Sequence, residues 1–326
     1  MARGKFALGC DVGATKVSVS VGVEPGVILD RITDRTYRMR NPKDLVSELR
    51  RMIADITEKN NLDISDCMGL GVAFAGFTDS RNGVIVASPN LEGWDNTPLK
   101  QILQDTLGVA VRVENDANVG AYGEYRHGGS VAGTDFLYVT LSTGIGGGLI
   151  IGGVPYEGDN GVAGEIGHTV VIPDGPKCGC GKQGCLEAVA SGLAIERIAN
   201  ERMKRERTSL NDRAAEGKID ARTVFEEARN GDPLSSEIVD TACRYLGLSI
   251  ANAVMLLSLS SVVIGGGMAR EGEYLRRKVE HYMRKGIAGG PNENAKLHIS
   301  KKPLEVVDIG ALQLVFDSSG GKGGKD

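Results

Sequence analysis

The chain has 326 residues, 41% of them hydrophobic and 25% charged, with a formal net charge of −4. That is enough for two domains with separate cores, and mild acidity with scattered Lys and Arg argues against a dedicated nucleic-acid surface. An apolar strand starting at Phe6 reaches Asp11 before any export signal forms, and the apolar stretch near Val254 to Ile264 is short and serine-broken. A cytoplasmic protein with no membrane partner is therefore expected.

In chain order, Phe6 to Gly9 and Val17 to Val21 are strand-like runs around the bend Asp11-Val12-Gly13-Ala14-Thr15-Lys16, which predicts a β-hairpin. Gly13 lets backbone amides approach a phosphate, Thr15 and Lys16 add donors, and Asp11 suits a hydrated Mg²⁺; a plain hairpin turn fits as well. Leu45, Val46, Leu49, Met52, Ile53 and Ile56 keep helical spacing, as do Leu99, Ile102, Leu103 and Leu107. Met68 to Ala75 and Val109 to Val113 are short apolar runs suited to buried strands. Asn115-Asp116-Ala117-Asn118 opens a further helix running to about Arg126. Asp116 reads first as a helix N-cap beside Asn115, with a general base as its functional reading. Asn90 and Asn115 are ordinary turn residues or hydrogen-bonding partners for hydroxyls.

The hairpin plan recurs over residues 136 to 153, with the bend Ser142-Thr143-Gly144-Ile145-Gly146-Gly147-Gly148. This weak repeat predicts two related α/β halves, whose two bends suit a polyphosphate chain. Next come Gly164-Glu165-Ile166-Gly167-His168 and Cys178-Gly179-Cys180-Gly181-Lys182-Gln183-Gly184-Cys185-Leu186-Glu187. One imidazole and three thiols are the donor set of a closed tetrahedral zinc site, which leaves no open position for catalysis. A disulfide with one thiol left over is the other reading. Such a metal would hold Glu165 and Glu187 ready to accept hydrogen bonds from a polyhydroxylated ligand. Cys10, Cys67 and Cys243 stand apart and read as small buried residues.

The remainder is mostly helical, with expected helices near 187–204, 220–230 and 234–258. Asp220 and Asp232 are placed as N-caps, the second followed by Pro233. A buried strand, Ser261 to Ile264, runs into Gly265-Gly266-Gly267, where open α/β sheets bind ligands, and a helix near 269–285 follows. The last helix, Ile309 to Phe316, is too short to stand alone, and the Gly-rich tail 318–326 is expected to be disordered.

Taken in order, Asp11-x-Gly13-x-Thr15-Lys16, Glu114-Asn115-Asp116-Ala117-Asn118, Thr143-Gly144-Ile145-Gly146-Gly147-Gly148, Glu165-x-Gly167-His168 and Cys178-x-Cys180-Gly181-x-x-Gly184-Cys185-x-Glu187 resemble the ROK family of sugar kinases and repressors. The resemblance runs from about residue 5 to about residue 316. It implies a two-domain actin-like, ribonuclease-H-like α/β fold with sugar and ATP in a cleft between the domains. Residues 1–118 with the helix at 305–317 would form the smaller domain, and 119–304 the larger one with the zinc loop. By the same resemblance Asp116 is the catalytic base, and Asn90, Asn115, Asp116, Glu165, His168 and Glu187 hold the sugar. Asp11, Gly13, Thr15, Lys16, Thr143 and Gly144 would hold phosphates, and Gly265, Gly266 and Gly267 would lie near the adenosine. His168, Cys178, Cys180 and Cys185 would bind a structural zinc, with His168 also touching the sugar.

The implied activity is ATP-dependent, Mg²⁺-requiring phosphorylation of a hexose 6-hydroxyl, with glucose first and N-acetylmannosamine as the alternative. A homodimer or a dimer of dimers is implied as well. A sugar-responsive regulator is the alternative of another class, but this chain enters its first strand with no helix-turn-helix before it.

Overall fold

The computed structural model describes residues 4–35, 41–88, 91 and 93–319. The chain folds into two compact units. Unit 1 comprises Met1–Ala132, Val154–Ala163 and Glu305–Asp326, and unit 2 comprises Gly133–Gly153 and Gly164–Leu304. Among the described residues no helix is long and apolar enough to cross a membrane.

Unit 1 begins with β1 (Phe6–Val12), β2 (Lys16–Gly22), β3 (Asp30–Arg35), α1 (Pro42–Lys59) and β4 (Cys67–Phe74). The two short strands β5 (Phe77–Asp79) and β6 (Val84–Ala87) precede α2 (Leu99–Leu107), β7 (Val111–Asn115) and α3 (Asp116–Gly123). The main sheet runs β3-β2-β1-β4-β7. β1 is antiparallel to β2 and parallel to β4, which is parallel to β7. Phe6, Leu8, Leu45, Leu49, Phe74 and Trp94 centre the core on one face of this sheet. Asn41 caps α1 by accepting from the Asp44 amide, with Pro42 at its first position, so the chain turns sharply into the helix.

The chain then supplies unit 2 with β8 (Phe136–Leu141) and β9 (Ile145–Ile151), passes through β10 (Val154–Pro155), and continues with α4 (Leu186–Ala190), α5 (Gly192–Arg202) and α6 (Leu210–Glu216). α7 (Ala221–Arg229), α8 (Pro233–Leu257), β11 (Ser261–Gly265), α9 (Gly272–Gly286) and β12 (Lys296–Ile299) complete it. Its sheet repeats the first plan in the order β9-β8-β11-β12: an antiparallel hairpin, then two strands in parallel register. Asp220 and Asp232 cap α7 and α8 as expected.

The last helix, α10 (Val306–Ser319), belongs to unit 1. It packs against β1 through Ala7, Leu312 and Val315. Backbone approach is close: a methyl at Gly71 of β4 would overlap the Ala311 carbonyl, so a residue without Cβ is required there.

Several expected elements differ in extent. The helix expected over 187–204 breaks at Ser191 into α4 and α5, because the Ser191 hydroxyl turns to cap the second by accepting from the Ala194 amide. α9 begins at Gly272 rather than 269, since residues 267–271 form a 3-10 turn. α10 covers 306–319, so Ser318 and Ser319 end a helix, and 320–326 lie outside the described residues.

Candidate active site

Unit 1 places the expected site residues Asp11 and Asn115 at the carboxyl ends of β1 and β7, the edge where α/β sheets bind ligands. Asp11 pairs with Ala73 in register and Asn115 with Phe74. The bend at 13–15 is closed by the Gly13 amide, which donates to the Lys16 carbonyl at 3.0 Å. Burial pushes the Asp11 carboxyl up to about 7, the Asp308 and Asp116 carboxylates add to the rise, and Lys16 and Arg31 oppose it.

Asn115 is the cap of α3. Its Oδ1 accepts from the Ala117 and Asn118 amides at 2.9 and 3.2 Å, and its Nδ2 donates to the Gly76 carbonyl at 3.0 Å. Both ends of the amide therefore fix the strand-to-helix turn. The capping role belongs to Asn115, and Asp116 opens the helix with Oδ1 2.9 Å from the Ala117 amide. Beneath this turn the buried Glu114 Oε1 accepts from the Asn115 amide at 2.7 Å and from Asn118 Nδ2 at 3.1 Å. Burial pushes Glu114 up to about 7 against those hydrogen bonds, and the Glu157 carboxylate adds to the rise. Asn90 lies outside the described residues.

In unit 2 the second bend is shorter than the glycine run suggests. It occupies only 142–144, closed by the Ser142 amide donating to the Gly144 carbonyl at 3.0 Å, and β9 already begins at Ile145. The later glycines serve packing instead. Side chains at Gly147 and Gly164 would meet each other's backbone, and one at Gly167 would overlap the Ile145 carbonyl. The loop carrying Glu165 and His168 therefore lies directly on the strand that leaves the bend.

His168, Cys178, Cys180 and Cys185 converge, their donor atoms all within 4.8 Å of one another. His168 Nδ1 is 3.6 Å from Cys178 Sγ, and Cys180 Sγ is 3.7 Å from Cys185 Sγ. A tetrahedron with metal–sulfur bonds of about 2.3 Å has edges of about 3.8 Å, so the four donors fit zinc. All six cysteines are free thiols, and none is paired in a disulfide. His168 thus turns Nδ1 toward the Cys178 thiol. Glu187, two residues past Cys185, accepts a 2.9 Å hydrogen bond from the Ile145 amide through Oε2.

Gly265 ends β11, Gly266 follows it, and Gly267 opens the 3-10 turn. Gly266 has φ 81° and lies against the Leu141 backbone, while Gly267 borders a cavity of about 620 Å³ with Thr143. Phe225 and Tyr274 also line it, their rings edge to face at 6.3 Å, and Arg229 lies 5.6 Å over the Tyr274 ring.

A model described as the ROK family matches residues 7–317. The chain belongs to the ROK family. Glucokinase of Thermotoga maritima is 35% identical to it over 288 residues, 86% of this chain and 89% of that protein. N-acetylmannosamine kinase of Haemophilus influenzae is 30% identical over 276 residues, 85% of each. The crystal structure of a ROK family glucokinase from Streptomyces griseus in complex with glucose and AMPPNP superimposes with a TM-score of 0.84 at 32% identity, over 96% of this chain and 99% of that one. The fold is accordingly the two-domain actin-like α/β fold of ROK sugar kinases.

No sequence motif of this ROK chain includes Phe225 or Tyr274, which line that cavity. Each stands on an amphipathic helix among charged neighbours, a pattern that marks packing as readily as a ligand wall.

Proposed function

We propose that this ROK chain is an ATP-dependent hexokinase that phosphorylates glucose at its 6-hydroxyl. The reading is carried by the 35% identity to a glucokinase over 86% of the chain. The paired carboxylates Asp11 and Asp116 at one sheet edge support it. Asp116 accepts the hydrogen bond of the sugar hydroxyl and takes its proton as the oxygen attacks the γ-phosphorus; the bond from that phosphorus to the bridging oxygen breaks and ADP leaves.

Asp11 fits a hydrated Mg²⁺, which when bound spreads the charge of the triphosphate. Gly13, Thr15 and Lys16 in unit 1, and Thr143 and Gly144 in unit 2, supply phosphate contacts. Gly265, Gly266 and Gly267, with Phe225 and Tyr274, take the nucleoside. Glu165, His168, Glu187 and Asn90 hold sugar hydroxyls. Asn115 fixes the turn through Oδ1 and one Nδ2 hydrogen, and its second Nδ2 hydrogen is the donor for a sugar hydroxyl. His168, Cys178, Cys180 and Cys185 hold zinc, which stiffens the loop and leaves the reacting groups to the chain.

The test is ATP-dependent phosphorylation with Mg²⁺ across glucose, mannose, fructose, glucosamine, N-acetylglucosamine and N-acetylmannosamine, with Asp116→Ala alongside. Glucose should have the highest kcat/KM. The variant should lose roughly 100-fold or more in turnover while retaining sugar affinity. Dominance of N-acetylmannosamine would reassign the substrate, and a fully active variant would remove Asp116 from the chemistry.

A further inference from the structure

We propose that Glu187 is a positioning residue for the donor phosphates, through the bend at 142–144. This rests on reading that bend as a phosphate site. Three hydrogen bonds from one short segment hold it. The Gly192 amide donates to the Ser142 carbonyl at 2.8 Å, the Leu193 amide donates to the Thr143 carbonyl at 3.3 Å, and Glu187 Oε2 accepts from the Ile145 amide at 2.9 Å. The first two come from the start of α5, and the third is a side chain that can move.

Gly144 is explained by the same carboxylate. Its φ lies outside the left-handed region, so the backbone does not demand glycine, yet a methyl at 144 would overlap Glu187 Oε2. The missing side chain makes room for the carboxylate. On its other side Glu187 Oε1 is 3.9 Å from Cys178 Sγ. One carboxylate thus lies between the thiol cluster and the bend, and its position sets where the amide of Ile145 and its neighbours sit. A phosphate held by backbone amides is sensitive to shifts of this kind.

The measurement is the affinity of the metal-loaded protein for a non-hydrolysable ATP analogue, with Mg²⁺ and no sugar, so its outcome is independent of which sugar is phosphorylated. Glu187→Ala should weaken binding roughly tenfold, the loss of one charge-assisted hydrogen bond. Glu187→Gln retains an acceptor oxygen and should stay within about twofold. Gly144→Ala should weaken binding by displacing the carboxylate, and the double variant Gly144→Ala/Glu187→Ala should be no weaker than Glu187→Ala, because both act through one contact.

Thermal unfolding and metal content confirm that each variant is folded and loaded. Should Glu187→Ala not fold, Glu187→Asp, one methylene shorter, takes its place. Unchanged analogue affinity in Glu187→Ala with only the sugar KM raised, or full additivity with Gly144→Ala, overturns the positioning role while leaving the kinase reading intact. A parent protein that binds no analogue at all overturns both.

Discussion

Ser18 Oγ donates a 2.8 Å hydrogen bond to Asp308 Oδ1, joining β2 to a helix 290 residues further along the chain. Asp308 is fully buried, and its other oxygen pairs with Arg31 Nη2 at 2.9 Å. The terminal helix is thus fixed by a specific polar contact as well as by apolar packing. The same carboxylate is one of the groups that raise Asp11.

Replacing Asp308 with Ala should destabilise unit 1 by about 3 kcal/mol, because breaking a buried pair strands its partner. Urea unfolding of parent and variant measures the difference. A loss under about 1 kcal/mol would mean that apolar packing alone holds α10.

Asp308→Asn keeps the shape and removes the charge, so the Asp11 carboxyl should titrate below its present value of about 7. The acid limb of the kcat/KM profile should then move to lower pH if Asp11 must be ionised to hold Mg²⁺. An unmoved limb would separate Asp11 from the pH dependence.

Glu114 provides a stability test with a definite sign. Its folded carboxyl is raised from 4.5 to about 7, so between those values the folded chain holds more protons than the unfolded one. Its contribution is fully present below about pH 4.5 and is lost as pH rises toward 7. Glu114→Gln retains the acceptor for Asn115 and Asn118 and does not titrate. Its melting temperature should fall less than the parent's between pH 5 and about 7, as followed by calorimetry; parallel curves would refute the shift.

Much of the architecture is legible in the residue pattern. Alternation around Asp11 and around Thr143 marks both hairpins, and the cysteine spacing marks the thiol cluster that the structure assembles. What escapes has physical causes. β3 reads Asp-Arg-Ile-Thr-Asp-Arg, an edge strand whose charged residues suit solvent and carry little apolar signal. β12 has only four residues, too few for periodicity. α10 is apolar nearly all round, so no stripe marks its ends. Gly147 and Gly167 look like turn glycines in sequence, and only the fold reveals that backbone packs against them. Asn115 and Asp116 are adjacent, both suited to capping, and the three-dimensional turn assigns the cap to the first.

Removing the proposed zinc should loosen the loop from Thr169 to Gly184 more than the rest of unit 2. Outside the donor cluster the loop has isolated bridges such as Val170 with Cys185 and Lys177 with Gln183. Limited proteolysis after chelation should cut near Lys177 or Lys182, and added zinc should restore protection. A stripped chain as resistant as the parent would refute a structural metal.

Gly266 and Gly267 are neighbours with opposite expected tolerance. At Gly266, φ is 81° and a Cβ would come 2.6 Å from the Leu141 carbonyl oxygen, a backbone atom at the end of β8 that cannot swing aside. Gly266→Ala should therefore cost about 2 kcal/mol or more in stability. At Gly267 the nearest atom to a new Cβ is Ser142 Oγ at 3.5 Å, ordinary contact, so Gly267→Ala should stay within about 0.5 kcal/mol. Because Leu141 leads straight into Ser142 and Thr143, the strained variant should also bind the ATP analogue more weakly. Chemical denaturation of both variants measures the first difference and calorimetric titration the second; equal stability for the two would mean that the turn after β11 relaxes without moving β8.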